Sequence, residues 1–193
     1  MATNKQRSET TRARIIAAAR ECFARDGYEE THTDTILEGA GVSRGALYHH
    51  FPSKRDVFEA VYVAIVEAAI AHALRAGSDS NSPLEDLITA CNAWLRLVRK
   101  PEFATILIEQ GPQVLGWRKA RAIEAESSLA PMREAIERAC SAGEIKVPSI
   151  EVTAMLINAL LAEAALISLH RKPRTSTDIQ ESSIRQFIEG LRS

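Results

Sequence analysis

Cysteine is scarce in this chain: three in 193 residues, Cys22, Cys91 and Cys140, odd in number and far apart. A disulfide framework and a closely spaced cysteine metal cluster are excluded, and the three read as buried thiols within helical apolar patterns. Seven prolines and nine glycines are too few for a collagenous or low-complexity chain. Neither charge sign dominates, with 24 Lys+Arg against 25 Asp+Glu, and 46% hydrophobic residues exclude general disorder. No uninterrupted apolar run of about 18 residues is present; the longest apolar stretch, 150–169, is broken by Asn158 and Glu163, so no membrane span is expected. The basic N-terminus MATNKQRSETTRAR leads into no apolar signal core, which implies a cytoplasmic location. Catalytic patterns are missing as well: HExxH, GxSxG, GxGxxG and the P-loop are all absent, and neither an enzyme nor a resident cofactor is expected.

Apolar residues recur at steps of three and four almost throughout, and strict alternation is lacking, so an all-α fold of about nine helices is expected. The first covers about 9–26, with Ile15, Ala19, Cys22 and Phe23 on one face and Gly27 as its stop. The second covers 33–40, capped by Thr31 or Thr33, with Ile36, Leu37 and Ala40 turned inward. Gly41 permits a tight turn, and Ser43 caps a short third helix in which Leu47 and Phe51 face the core. Pro52 ends it, and Ser53 with Asp56 caps a long helix over 54–76 whose inner stripe is Phe58, Val61, Tyr62, Ile65 and Ala69. Ser82-Pro83-Leu84-Glu85 opens a fifth helix to about 98. Helices over 101–110, 117–141 with a kink at Pro131, 150–169 and 177–192 follow, divided at Gly111-Pro112, at 143–148 and at Lys172-Pro173.

The small net charge hides an asymmetry. Residues 1–20 sum to +4, residues 41–55 carry Arg44, Lys54, Arg55, His49 and His50 without an acid, and five acids lie in 26–40 between them. Folded together, the two basic clusters suit a polyanion, although a solvated charged face accounts for the same pattern. A short helix that buries only Leu47 and Phe51 leaves Arg44, Gly45, Tyr48 and His49 outward, with Ala46 at the edge. That is the arrangement of a helix-turn-helix, whose second helix enters the DNA major groove. Arg44 has the geometry for guanine O6/N7, Gly45 and Ala46 permit close approach, and Tyr48, His50 and Lys54 can donate to phosphates. A helical hairpin that merely packs remains the alternative. Adjacent histidines on a helix diverge by about 100°, so His49-His50 is no metal site. A helical module that binds only protein would have no use for Arg44, Tyr48, His50 and Lys54 together.

Gly27-Tyr28, Thr31, Ile36 and the run AGVSRGALYHHFPSKRDVF over 40–58 closely resemble the DNA-binding domain of the tetracycline-repressor (TetR) family of bacterial transcriptional regulators. The resemblance covers about residues 8–60, and the remainder matches only in outline. It implies a helix-turn-helix DNA-binding domain at 1–53 and a helical effector-binding and dimerisation domain at 54–193. It implies further a homodimeric repressor that reads a palindromic operator in double-stranded DNA and is released by a small-molecule effector. By position, Arg44, Gly45, Ala46 and His49 would face bases, and Thr33, Ser43, Tyr48, His50 and Lys54 would hold the backbone. Two positions depart from the family's pattern: Leu37, where Ala is usual, and Asp34, an acid that either accepts from cytosine N4 or caps the second helix.

The 150–169 helix is apolar nearly all round, with Leu156, Leu160 and Leu169 among its leucines, and is expected to be internal or covered by a partner. Ala154, Leu161, Ala165, Ile184, Phe187, Ile188 and Leu191 are the candidates for a dimer interface, in the four-helix bundle that the resemblance implies. Candidates for an effector pocket are Trp94, Phe103, Trp117, Met132 and Met155, with Asn92, Gln113 and Asn158 as polar anchors. Few charges lie in these stripes, which favours an apolar or weakly polar ligand. The sign of regulation, the operator and the effector are not written in the sequence.

Overall fold

The computed structural model describes residues 4–78, 80–170 and 176–192, of which Asn4 and 168–170 by backbone alone. The fold is all-α, and among the described residues there is no strand and one isolated antiparallel bridge, Ile145 to Arg192. The helices are α1 (Asn4–Glu30), α2 (Thr33–Ala40), α3 (Arg44–His50), α4 (Lys54–Ala76), α5 (Pro83–Val98), α6 (101–115), α7 (Trp117–Ser141), α8 (Ile150–His170) and α9 (Thr177–Glu189). Three continuous pieces make up α6: Pro101–Phe103, a π-helical Ala104–Gln110 and Gly111–Leu115. The expected break at Lys172-Pro173 and the side chain of Leu169 lie outside the described residues. The chain packs as two units, Met1–Ile65 with Pro101–Ala120, and Val66–Lys100 with Arg121–Ser193. The boundary expected at 53/54 falls inside the first of these, because the opening turns of α4 share a core with α1.

In the first unit, Ile15, Ala19 and Phe23 of α1, Ile36 and Ala40 of α2, Leu47 and Phe51, and Phe58, Val61 and Tyr62 of α4 are all buried. Phe23 and Phe58 meet edge to face at 5.2 Å, a geometry that adds about 0.5–1.5 kcal/mol to the burial itself. Gly27 takes the positive φ of 82° expected of a stop, yet residues 28–30 resume the helix. The Thr31 N–H and hydroxyl both donate to the Gly27 carbonyl, at 3.2 and 2.6 Å. Thr31 thus closes α1. The N-cap of α2 is His32, without a side-chain cap, which corrects the expectation of Thr31 or Thr33. Gly41 is left-handed at φ 59°, and the paired bonds Gly41 N–H to Glu38 O and Val42 N–H to Leu37 O form a Schellman closure.

Gly111 does not interrupt α6, as its sequence context suggested. A Cβ there would lie 2.2 Å from the Tyr62 ring, so glycine allows the two helices to touch. The π turn before it bonds Gly111 N–H to Ile106 O and lets the helix accept Pro112, which has no N–H to give. Gln110 donates to the Phe23 carbonyl at 2.9 Å, and Arg55 donates to Val114 and Leu115 carbonyls at the far end.

In the second unit, the α5 stripe Leu84, Leu87, Ile88, Cys91, Leu95 and Val98 is buried, as are Ile136 and Ala139 of α7. The Ser82 hydroxyl accepts from Glu85 N–H as the expected N-cap. Pinning α9 in place are Arg96 with Glu181, Arg99 with Gln180, Gln180 with the Ala164 carbonyl, and Arg185 with Glu85 at 3.0 Å. α7 continues as helix through Pro131. Cys22 and Cys91 are buried; Cys140 is only half-buried, contrary to expectation.

By length and composition, α4 and the 150–167 part of α8 are apolar enough to cross a bilayer, each with mean hydropathy 1.8, although neither is an uninterrupted apolar run. Half of the α4 window is buried by core packing, against 22% for α8.

Candidate nucleic-acid interface

Local chemistry builds the site. The Ser43 hydroxyl accepts from Ala46 N–H at 3.2 Å and starts α3, an N-cap that contributes about 1 kcal/mol. Buried Leu47 and Phe51 hold the helix from beneath, and Arg44, Gly45, Tyr48 and His49 stand exposed, with Ala46 and His50 half-buried. By helical spacing Arg44, Gly45, Tyr48 and His49 share one face of α3, Ala46 and His50 lie on its flank, and Thr33, half-buried at the start of α2, belongs to the same unit. A Cβ added to Gly45 would meet nothing within 4 Å. The protein's own packing therefore does not ask for glycine there, although glycine inside a helix costs about 0.5–1 kcal/mol relative to alanine. Open space above this position suits an external partner that approaches closely.

The two basic clusters do come together. Arg14 donates to the Gly41 carbonyl at 3.1 Å, and the Arg12 guanidinium lies 5.2 Å from the centre of the Phe51 ring. Within the second cluster, however, much of the charge is engaged internally. The Lys54 ammonium donates to the carbonyls of Tyr28, Glu29 and Thr31 at 2.8, 3.3 and 3.1 Å, over the Tyr28 ring. Here Lys54 acts as a cationic cap on the end of α1, and Arg55 does the same for α6, so neither stands as a free phosphate donor. Arg44 pairs with Asp34, Nη2 to Oδ1 at 2.5 Å. Asp34 is thus engaged by Arg44 rather than by the start of α2, a pairing that the sequence did not signal. His49 and His50 stack edge to face at 5.3 Å, and no group of three or more metal-ligating side chains exists among the described residues.

The remaining candidates are divided between the units. Phe103, Gln113 and Trp117 belong to the first, where Phe103 is core beneath the Arg20 guanidinium and Trp117 is exposed. Asn92, Trp94, Met132, Met155 and Asn158 belong to the second. There Asn158 donates to the Ser128 hydroxyl at 2.8 Å, Met155 points outward, and the Asn92 Oδ1 is buried without a partner. Of the dimer candidates, Ala154, Leu161, Ala165, Ile184 and Ile188 are buried inside the protomer, so they cannot form an outer face. Leu191 is half-buried and Phe187 is 66% exposed. The outward apolar face is carried instead by Val152, Met155 and Leu156 of α8 with Ile179 and Phe187 of α9. α8 is apolar on both sides, so its composition did not show which side α9 covers.

Residues 15–61 match the family of bacterial regulatory proteins of the tetR type, and residues 84–191 match the tetracyclin repressor-like C-terminal domain. The helix-turn-helix-type transcriptional regulator SrpR of Pseudomonas putida is 34% identical over 166 residues, covering 81% of this chain and 76% of its own. A transcriptional repressor of Mycobacterium tuberculosis is 28% identical over 91% of this chain and 93% of its own. Among solved structures, a TetR-family regulator from Pectobacterium atrosepticum superposes with a TM-score of 0.82 at 26% identity, over 99% of this chain and 98% of its own. A helix-turn-helix surface on the N-terminal side, a matching C-terminal domain over more than half the chain and full-length relatives that are regulators together show that the protein belongs to the TetR family of DNA-binding transcriptional regulators.

Proposed function

We propose that the protein is a homodimeric repressor that binds a palindromic operator through α3 of each protomer and is released by a small apolar or weakly polar effector. The observation that carries the reading is the outer face of α3, where Gly45 has nothing of the protein above it. Arg44, Gly45, Ala46 and His49 meet base edges in the major groove, and Thr33, Ser43, Tyr48 and His50 hold phosphates together with the N-terminal N–H groups of α2 and α4. Lys54 contributes indirectly, by tying the start of α4 to the end of α1. The protomers join through the face made by Val152, Met155, Leu156, Ile179 and Phe187, and the dimer presents its recognition helices about one DNA turn apart, roughly 34–36 Å. As a DNA-bound regulator it works in the cytoplasm.

The effector lodges in the second unit, where the Asn92 oxygen is buried without a partner and where the candidates Trp94, Met132 and Asn158 also lie. Both α4 and α7 run from one unit into the other, so a ligand held in the second can act on the first through them. A shift of the population from 1:99 to 99:1 takes about 5.5 kcal/mol of differential affinity. The test is recovery of genomic DNA fragments by the purified protein at near-physiological salt, against a variant with Arg44→Ala and Tyr48→Ala. A palindromic site recovered by the wild type alone is the expected result; equal recovery by both overturns the assignment of α3. A ligand that binds and leaves operator affinity unchanged at fixed salt overturns the switch.

A further inference from the structure

We propose that Asp34 is a specificity-determining residue, which holds the Arg44 guanidinium by its ion pair and thereby restricts the base that α3 accepts. The inference rests on the orientation of α3 proposed above and adds α2 to the reading surface. Asp34 is the second residue of α2 and Arg44 the first of α3, and the tight left-handed turn at Gly41 is what brings them to 2.5 Å. Both side chains stay largely exposed, 70% and 62%, and an exposed pair of this kind contributes little to folding. Nor is Asp34 required as a cap, since the cap position is His32. A carboxylate on a DNA-facing surface repels phosphates and weakens binding to every sequence alike. What offsets that loss is discrimination. An arginine with no partner samples many rotamers and can meet a phosphate or either neighbouring base; one anchored through Nη2 keeps a two-donor edge free in a single orientation, the pattern that guanine O6 and N7 accept. The carboxylate beside it turns away the acceptor groups of a wrong base.

The experiment is selection of binding sites from a random duplex pool by the full chain, for the wild type, Asp34→Asn, Asp34→Ala and Arg44→Ala. Affinities for the selected operator, for its single-base variants and for a non-operator duplex are then measured at one salt concentration. The wild type is expected to enrich a palindrome with one fixed guanine per half-site assigned to Arg44 by its loss in Arg44→Ala. Both Asp34 variants are expected to lose about tenfold of the discrimination at that same position, while their affinity for non-operator DNA rises and their melting temperature stays that of the wild type. An unchanged base preference in both Asp34 variants, or broadening at a different position from that of Arg44→Ala, overturns the inference while the functional reading stands. Equal weakening on operator and non-operator DNA with a lowered melting temperature shows a structural role and also overturns it. A wild type that enriches no palindrome sinks the functional reading, and the inference with it.

Discussion

Single residues show most directly where folding and function pull apart. Gly45→Ala replaces a glycine in the first turn of α3 at a site with open space, so the variant is expected to be more stable by about 0.5 kcal/mol or less in urea unfolding, yet to bind operator more weakly because its methyl fills the gap left for a base edge. Unchanged operator affinity in the stabilised variant would show that the space has no DNA in it. Cys91 answers a different question. Burial pushes its thiol from near 9 up to about 12. Between those values the unfolded chain has released a proton that the folded chain keeps, so stability is complete below about pH 9 and falls as pH rises toward 12, by as much as roughly 1.4 kcal/mol per pH unit. Urea midpoints followed from pH 8 to 11 should therefore decline more steeply for the wild type than for Cys91→Ala; parallel curves would contradict the buried thiol. Lys54 and Arg55 carry the same lesson in charge: both belong to the basic cluster of 41–55, Lys54 with the look of a phosphate donor, and both are engaged with the carbonyl ends of helices.

Among the elements, α6 departs furthest from its sequence pattern. Gly111-Pro112 has the composition of a break, and a helix ending near 110 follows from local propensity alone. The π turn over Ala104–Gln110 carries the helix past it, and α6 packs with α1 and α4 through Gln110, Gly111 and Arg55. Gly111→Ala places a methyl 2.2 Å from the ring of the fully buried Tyr62, where neither side can give way cheaply. The expected cost is about 1–3 kcal/mol, read as a lower urea midpoint. A midpoint equal to the wild type's would mean that the α4 and α6 contact is looser than described. α3 behaves in the opposite manner, since its cap, its two buried anchors and its exposed face all follow from nine consecutive residues, 43–51.

For the molecule as a whole, the proposed dimer rests on the outer face of α8 and α9. Leu156 and Phe187 are 64% and 66% exposed, and Val152, Met155 and Ile179 are exposed as well, large apolar side chains on α8 and α9 that a lone protomer leaves in water. Leu156→Glu combined with Phe187→Glu is expected to convert the dimer to a monomer in sedimentation, with helix content retained. Operator affinity should then fall at least tenfold, because two half-sites are no longer engaged together. A double variant that still sediments as a dimer would move the interface elsewhere.

Much of the fold was legible because its signals are local. Serines at 43, 53 and 82 cap the helices that they precede, and apolar spacing over three and four residues marks the buried stripes of α1, α4 and α5. The family run at 40–58 made the helix-turn-helix legible for the same reason, since a tight turn and a short helix leave few degrees of freedom. What the sequence could not decide was which of several equivalent groups meets which. α8 is apolar on nearly every side, and its packing against α5 and α9 turns Ala154, Leu161 and Ala165 inward and leaves Val152, Met155 and Leu156 out. Asp34 had two plausible partners until the turn at Gly41 carried Arg44 to it. Composition and periodicity determined the helices and the kind of surface that they present, whereas pairing between residues far apart in the chain required the tertiary structure, because burial and ion pairing depend on neighbours that no local window contains.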